Sequence, residues 1–433
     1  MLILIQICCF VSVLRKIYHW GLRAYETGLR LAAPFHPKAR LWVEGRKGWR
    51  KQLQAATQGN KNWIWFHAAS LGEFEQGRPL IELIKAKYPH YSILLSFFSP
   101  SGYEIRKNYP LADYVCYLPM DYPGHACDFL KILQPQLAVF IKYELWLNYI
   151  AEMKRRNIPA ILIAASLTAD SRFLKSRLAP YYKEAFLSFR AIFTQEDVTV
   201  QLLRSFTDHT SIIPSRDTRY DRVLATQQAA ASLPLIEAFI QGRPCIIAGS
   251  SWPQGEKALL EAFAELNKSL DICLIFAPHE IKAEHIQNQA RRFTDDSWVL
   301  SHGNPPSDRS ILWIDQIGML SRLYRYADIA YIGGALGGHG LHNILEATAF
   351  GVPVLFGPRH GDKPEALALI EIGGAMVVED GVGVEAEVKK LLAAPEAQAA
   401  LREKLKAFIA EQAGASEQIL DWLEETGLVS IEE

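Results

Sequence analysis

The chain has 433 residues, 49% of them hydrophobic, enough for two or three domains with sizeable cores. Its 46 Lys and Arg nearly balance 47 Asp and Glu, and a net charge of −1 gives no overall pull toward nucleic acid. The six cysteines form no Cys-x-x-Cys pair and sit mostly in apolar or strand-like contexts, which argues against a disulfide framework or zinc site and for reduced thiols in the cytoplasm.

Residues 1–14 are apolar except Gln6 and Ser12. The run is shorter than the roughly 20 residues a spanning helix needs. Positive charge follows it instead of preceding it, and no small-x-small cleavage site appears, unlike a signal peptide. From Arg15 to Lys51, ten Lys and Arg stand against Glu26 and Glu44, with Trp20, Trp42 and Trp49 interspersed. Residues 1–50 therefore suit an anionic membrane surface. A buried first helix with a basic solvated face fits the residues equally well.

Strand-like runs follow at Trp63–Ala69, Tyr91–Phe98, Leu137–Lys142, Ala160–Leu167, Ala191–Gln195 and Ser211–Pro214, with helical patterns between most of them. Residues 216–243 break the rhythm with a polar, Ala/Gln-rich piece, read as a linker. A second set is Cys245–Gly249, Ile272–Pro278, Trp298–Ser301, Ile311–Ile314, Ile329–Gly333, Val352–Phe356 and Ala375–Val378. The expected fold class is α/β, with Rossmann-like domains at 51–215 and 244–433 and the last helix crossing back to the first domain.

Five turns could carry chemistry. After Trp63–Ala69 comes Ser70-Leu71-Gly72-Glu73, which by spacing alone is a capping box. Pro79 favours a regular helix starting near Arg78, which would leave Glu73 free in the turn. Glu144 follows Leu137–Lys142, where a carboxylate either faces a ligand crevice or pairs with Lys142 or an arginine. In Asp217-Thr218-Arg219-Tyr220-Asp221, the arginine is either a functional cation or the partner of Asp217 or Asp221. Gly249 and Ser250 form a strand-to-helix turn that suits a phosphate, although an ordinary helix start explains it nearly as well. Between Gly333 and Gly340, five glycines precede His342-Asn343-Ile344-Leu345-Glu346, with Asn343 as the expected N-cap and Glu346 one turn in.

His67-Ala68-Ala69-Ser70-Leu71-Gly72-Glu73 resembles the H-A-x-S-x-G-E signature of the 3-deoxy-D-manno-octulosonic acid (Kdo) transferases of lipopolysaccharide synthesis. Further signatures follow in order. Glu144-Leu145-Trp146 resembles part of E-T-E-L-W-P-N, with Lys142 and Leu147 departing from the usual Glu and Pro. Asp217–Asp221 resembles G-[ND]-x-[KR]-[FY]-D, with Arg216 in place of glycine. Pro278-His279 stands at P-R-H, and Asp315-Gln316-Ile317-Gly318-Met319-Leu320 at D-x-x-G-x-L. His342–Glu346 resembles H-N-P-L-E, with Ile344 in place of proline.

The resemblance implies the glycosyltransferase B (GT-B) architecture, Glu73 as catalytic base, and Glu144 and Arg219 acting at the acceptor or transition state. It implies a CMP-Kdo donor held by Gly249, Ser250, Pro278, His279, Ile317, Gly318, Met319, Asn343, Ile344, Leu345 and Glu346. The backbone from Asn343 to Leu345 is assigned to the phosphate and Glu346 to the ribose. It further implies a lipid A precursor as acceptor and attachment to the cytoplasmic face of the inner membrane. No HExxH, DxD or clustered acid pair appears, so neither a metal nor another cofactor is expected. A transferase using a UDP-sugar would share the architecture, and a non-catalytic lipid-binding protein would share the N-terminal segment. Competition by CMP against UDP separates the first; retention of Glu73, Glu144 and Arg219 argues against the second.

Overall fold

The computed structural model describes residues 2–59, 62–293, 295–306, 308–361 and 363–431, with side chains from residue 14 onward. Cys8, Cys9 and the apolar side chains before residue 14 lie outside the described residues. The chain divides into two compact units, Met1–Arg222 with Ala413–Glu433, and Val223–Gln412.

In the first unit, β1 (Trp63–Ala68), β2 (Ser92–Phe97), β3 (Tyr114–Tyr117), β4 (Leu137–Ile141), β5 (Ala160–Ala165), β6 (Ala191–Thr194) and β7 (Ile212–Pro214) form one sheet. The order is β3-β2-β1-β4-β5-β6-β7, with every pairing parallel. Parallel strands need crossovers that cover both faces, so central strands read as continuous apolar runs. β1 and β4 are buried at every residue. Side chains alternate along β1: Trp63 and Trp65 enter one core with Phe129 and Phe140, while Ile64 and Phe66 enter another with Ile81 and Ile84. The order reverses between β1 and β4, where this fold places its ligand crevice.

The helix expected near Arg78 begins at Leu71 and runs to Lys87 with Pro79 inside it. Pro79 cannot donate to the Glu75 carbonyl. Yet Gly77 and Pro79 are buried, and a side chain at Gly77 would strike Ile141 of β4. Close packing on the sheet, against local propensity, keeps this helix continuous. The final helix, Ala415–Glu425, belongs to the same unit and puts Ile419 and Leu423 into the second core. Asp221 accepts from the N–H groups of Gly414 (2.5 Å) and Ser416 (2.7 Å) at its start. Residues 216–243 carry the helices Arg219–Ala229 and Pro234–Ile240, and the division between units falls within the first.

The second unit contains β8 (Cys245–Ser251), β9 (Cys273–Pro278), β10 (Ser297–Val299), β11 (Ile311–Trp313), β12 (Ile329–Ile332), β13 (Val354–Phe356) and β14 (Ala375–Val377). All pairings are parallel in the order β10-β11-β9-β8-β12-β13-β14, which reverses between β8 and β12.

Candidate active site

Glu73 lies in the first turn of helix Leu71–Lys87, just beyond the carboxyl end of β1. The N-cap Ser70 makes no side-chain cap bond, so the expected capping box is only half formed. Glu73 Oε2 accepts from the Ala69 N–H at 2.5 Å. Burial pushes the Glu73 carboxyl up to about 7, and the charge of Glu144 pushes the same way. Backbone N–H groups of Ala69 and Ser70 and the charge of Lys142 act against them. A carboxyl poised near neutrality suits a general base.

Glu144 comes to this place because β4 pairs with β1. Its carboxylate is almost buried and accepts from Trp146 Nε1 at 2.6 Å, with His67 Nε2 at 3.2 Å. The partners are thus an indole and an imidazole, not the lysine or arginine of the simpler reading. The other ring nitrogen of His67, Nδ1, lies 2.9 Å from the Ser96 hydroxyl and 3.1 Å from the Ser96 carbonyl. Ser96 Oγ in turn accepts from Trp65 Nε1 at 2.8 Å. This buried relay fixes the orientation of Glu144. Lys142, at the end of β4, has φ +66°, a left-handed conformation unusual for a side-chain-bearing residue.

Arg219 is tied to Asp217 through its backbone N–H (2.9 Å) and Nε (2.7 Å), the ion pair considered from sequence. Its neighbour Thr218 is fully buried and donates to the Gln76 carbonyl at 2.5 Å, anchoring this segment to the helix that carries Glu73. Arg216 has φ +63°, the conformation that glycine would adopt more easily.

In the second unit, Gly249 and Ser250 lie at the end of β8, and His279 follows Pro278 at the end of β9. The Gly333 N–H donates to the Gly249 carbonyl at 3.0 Å, laying the glycine-rich turn against β8. A side chain at Gly333 would run into the Ser250 carbonyl, and one at Gly249 into the Tyr324 hydroxyl. On the loop after β11, Ile317 is 93% exposed, Gly318 has φ +88°, and Met319 leads into a short helical turn.

The helix expected to open at Asn343 is a single turn, Leu345–Thr348, with Ile344 as its N-cap. Asn343 Oδ1 accepts from the Leu345 N–H (3.1 Å), and its Nδ2 donates to Glu346 Oε1 (3.0 Å). The Leu345 N–H assigned to phosphate is therefore taken by a side chain, as short Asn side chains often do near helix starts.

Sequence reasoning missed a ring cluster here. Trp252 stacks on His339, with centroids 3.6 Å apart and planes at 5°, and donates from Nε1 to His342 Nε2 at 3.0 Å. His279 stacks on His342 at 4.4 Å. Indole only donates, so His342 Nε2 is an acceptor. Burial pulls the His342 imidazole down to about 4, with His279, Lys363 and His339 acting the same way, so it is neutral at pH 7. Trp252 stands two residues after the Gly249-Ser250 turn, but nothing local distinguishes a stacking indole from one that merely precedes a helix.

Two doubly wound parallel sheets, one in each unit, are the GT-B fold. Solved structures agree on the fold: UDP-GlcNAc 2-epimerase from Neisseria meningitidis (TM-score 0.60, 15% identity, 84% of this chain and 100% of that one) and MurG from Acinetobacter baumannii (TM-score 0.51, 12% identity, 84% and 100%). Residues 45–222 match the family model described as 3-deoxy-D-manno-octulosonic-acid transferase. Proteins named 3-deoxy-D-manno-octulosonic acid transferase are similar over most of the chain. That of Haemophilus influenzae is 27% identical, with 83% of this chain and 86% of its own length covered; that of Bordetella pertussis is 27% identical, with 84% and 87% covered. The chain is thus similar to Kdo transferases over most of its length, and to their family model over residues 45–222.

Proposed function

We propose that this enzyme transfers Kdo from CMP-Kdo to a lipid A precursor of the lipid IVA type, with inversion at the donor's anomeric carbon and without a metal ion. The observation that carries the reading is the Glu73 carboxyl, held near neutrality at the switch point of the first sheet. In this reaction ionised Glu73 takes the proton of a glucosamine hydroxyl as its oxygen attacks the anomeric carbon. The bond from that carbon to the CMP phosphate breaks, and CMP leaves with the electron pair. Glu144, oriented by His67 and Trp146, positions the acceptor. Arg219 and the backbone near Gly249 and Ser250 offset the charge on the departing phosphate. Glu346 takes the ribose. The match of residues 45–222 to the family model and the named activity of the relatives support the choice of sugar.

The proposal includes attachment to the cytoplasmic face of the inner membrane through residues 1–50. Helix Leu2–Ala32 leaves Ile17, Trp20 and Leu31 exposed (53%, 70% and 72%) on one face by helical periodicity, and Phe35 beyond it is 88% exposed. Lys16, Arg23 and Arg30, seven residues apart, form a basic row beside that face. Among the described residues, no single helix is long and apolar enough to cross a membrane.

The test combines purified protein, CMP-Kdo and lipid IVA, with and without EDTA, and reads the lipid by mass spectrometry. Addition of Kdo in both mixtures is expected. Transfer only from a UDP-sugar, or loss of transfer with EDTA, overturns the corresponding part.

A further inference from the structure

A cavity of about 490 Å³ lies within the first unit, away from Glu73, with Arg30, Arg46, Lys47, Arg50 and Lys51 on its wall. Glu26 is the only acid on that wall and is engaged: it accepts from Arg30 at 2.7 Å and from the Tyr122 hydroxyl at 2.6 Å. Arg50 pairs with Asp128 at 2.6 Å. That leaves three cations. Lys47 and Lys51 are exposed and have no acidic partner among the described residues. Arg46 is held by the carbonyls of Trp42, Phe98 and Leu118 and stacks 3.9 Å from the centre of the Trp42 ring. Burial pulls its guanidinium down to about 9, still protonated at neutral pH, with no carboxylate among its hydrogen-bond partners.

One more feature of the wall offers donors. Helix Trp49–Thr57 starts at Gly48, which has φ +67° and no side chain to cap the first N–H groups. Uncompensated cations and uncapped N–H groups together suit a tetrahedral oxyanion.

We propose that this cavity binds a phosphate group of the acceptor lipid. The inference rests on the acceptor reading above and adds how the lipid is gripped away from the reacting hydroxyl. Arg46 and the start of helix Trp49–Thr57 hold the phosphate, and Lys47 and Lys51 close over it.

The test uses the full chain and the Lys47→Gln/Lys51→Gln double variant, which spares Arg46 and its structural bonds. With phosphorylated lipid IVA, KM should rise about tenfold while kcat stays unchanged. With the same lipid stripped of its phosphates, variant and parent should coincide. CMP affinity and melting temperature should match the parent. An equal KM change with both acceptors, or none with either, overturns the proposal. Inorganic phosphate and phosphatidylglycerol vesicles supply the remaining arms: if the double substitution weakens binding to either as much as to lipid IVA, the site is a general anion or headgroup site and the acceptor assignment fails. If the parent transfers Kdo to neither lipid, the functional reading is what has failed. Direct titration of detergent-dispersed lipid IVA then decides the phosphate site alone: tenfold weaker binding by the variant upholds it, and equal binding overturns it.

Discussion

At the carboxyl end of the first sheet, two carboxylates, Glu73 and Glu144, act on each other in a largely buried setting, and burial raises one of them to about 7. At the same end of the second sheet, the strongly shifted group is an imidazole, His342, lowered by burial to about 4 and set among stacked rings. Desolvation disfavours charge in both places, with opposite results. It leaves the carboxyl half-protonated at neutral pH, able to exchange a proton, and the imidazole neutral, able only to bind. Under the proposed function, the chemistry belongs to the first unit and pH-insensitive binding to the second.

The largest test of that division is Glu73→Gln. Removing a general base typically costs about 10²–10⁴-fold in rate, and turnover should fall by that much while CMP affinity is unchanged. A cap alone predicts about 1 kcal/mol of lost stability with turnover intact. The substitution also has a sign in stability. A carboxyl raised above its unfolded value contributes stability below the usual carboxylate range, lost as pH rises through about 7. Glu73→Gln should therefore raise the melting temperature at pH 8 relative to the parent, and not at pH 4; calorimetric scans at both values decide it.

Next in size is Glu346→Ala. Loss of a charge-assisted hydrogen bond to the ribose should weaken CMP binding by about ten- to a hundred-fold, read by isothermal titration. Equal losses in Glu73→Gln and Glu346→Ala would erase the distinction between the units.

A smaller effect concerns pH. The rate should climb with pH through about 7, because protonated Glu73 cannot accept a proton. Glu144→Gln removes a negative charge that raises Glu73, so the surviving activity should have its rising limb at lower pH. A limb that stays in place would show that the two carboxylates do not act on each other.

Least is expected of deleting residues 1–14. Fractionation should show the protein moving toward the soluble phase, with both units keeping their cooperative melt. Aggregation or loss of that melt would make the segment part of a core.

Much of the architecture was legible because parallel strands buried on both faces leave continuous apolar runs; all seven strands of the second unit coincide with predicted ones. The strand missed in the first unit, β3, is four residues long, lies at the sheet edge and is only partly buried, so it carries no such run. Glu73 stood out by its place between a strand and a helix, but Pro79 misplaced the start of that helix. Local propensity sees the lost N–H and not the packing of Gly77 against Ile141.

What the sequence determined by itself were features written in consecutive residues: the alternation of strands and helices, the glycine-rich turn, and each motif separately. Only the tertiary structure decided which motifs meet. Glu144 reaches Glu73 because β4 pairs with β1 across the switch point, and Trp252 reaches His339 and His342 because β8 lies beside β12. Those pairings depend on burying both faces of a sheet at once, a condition imposed on the whole chain and invisible in any single stretch of it.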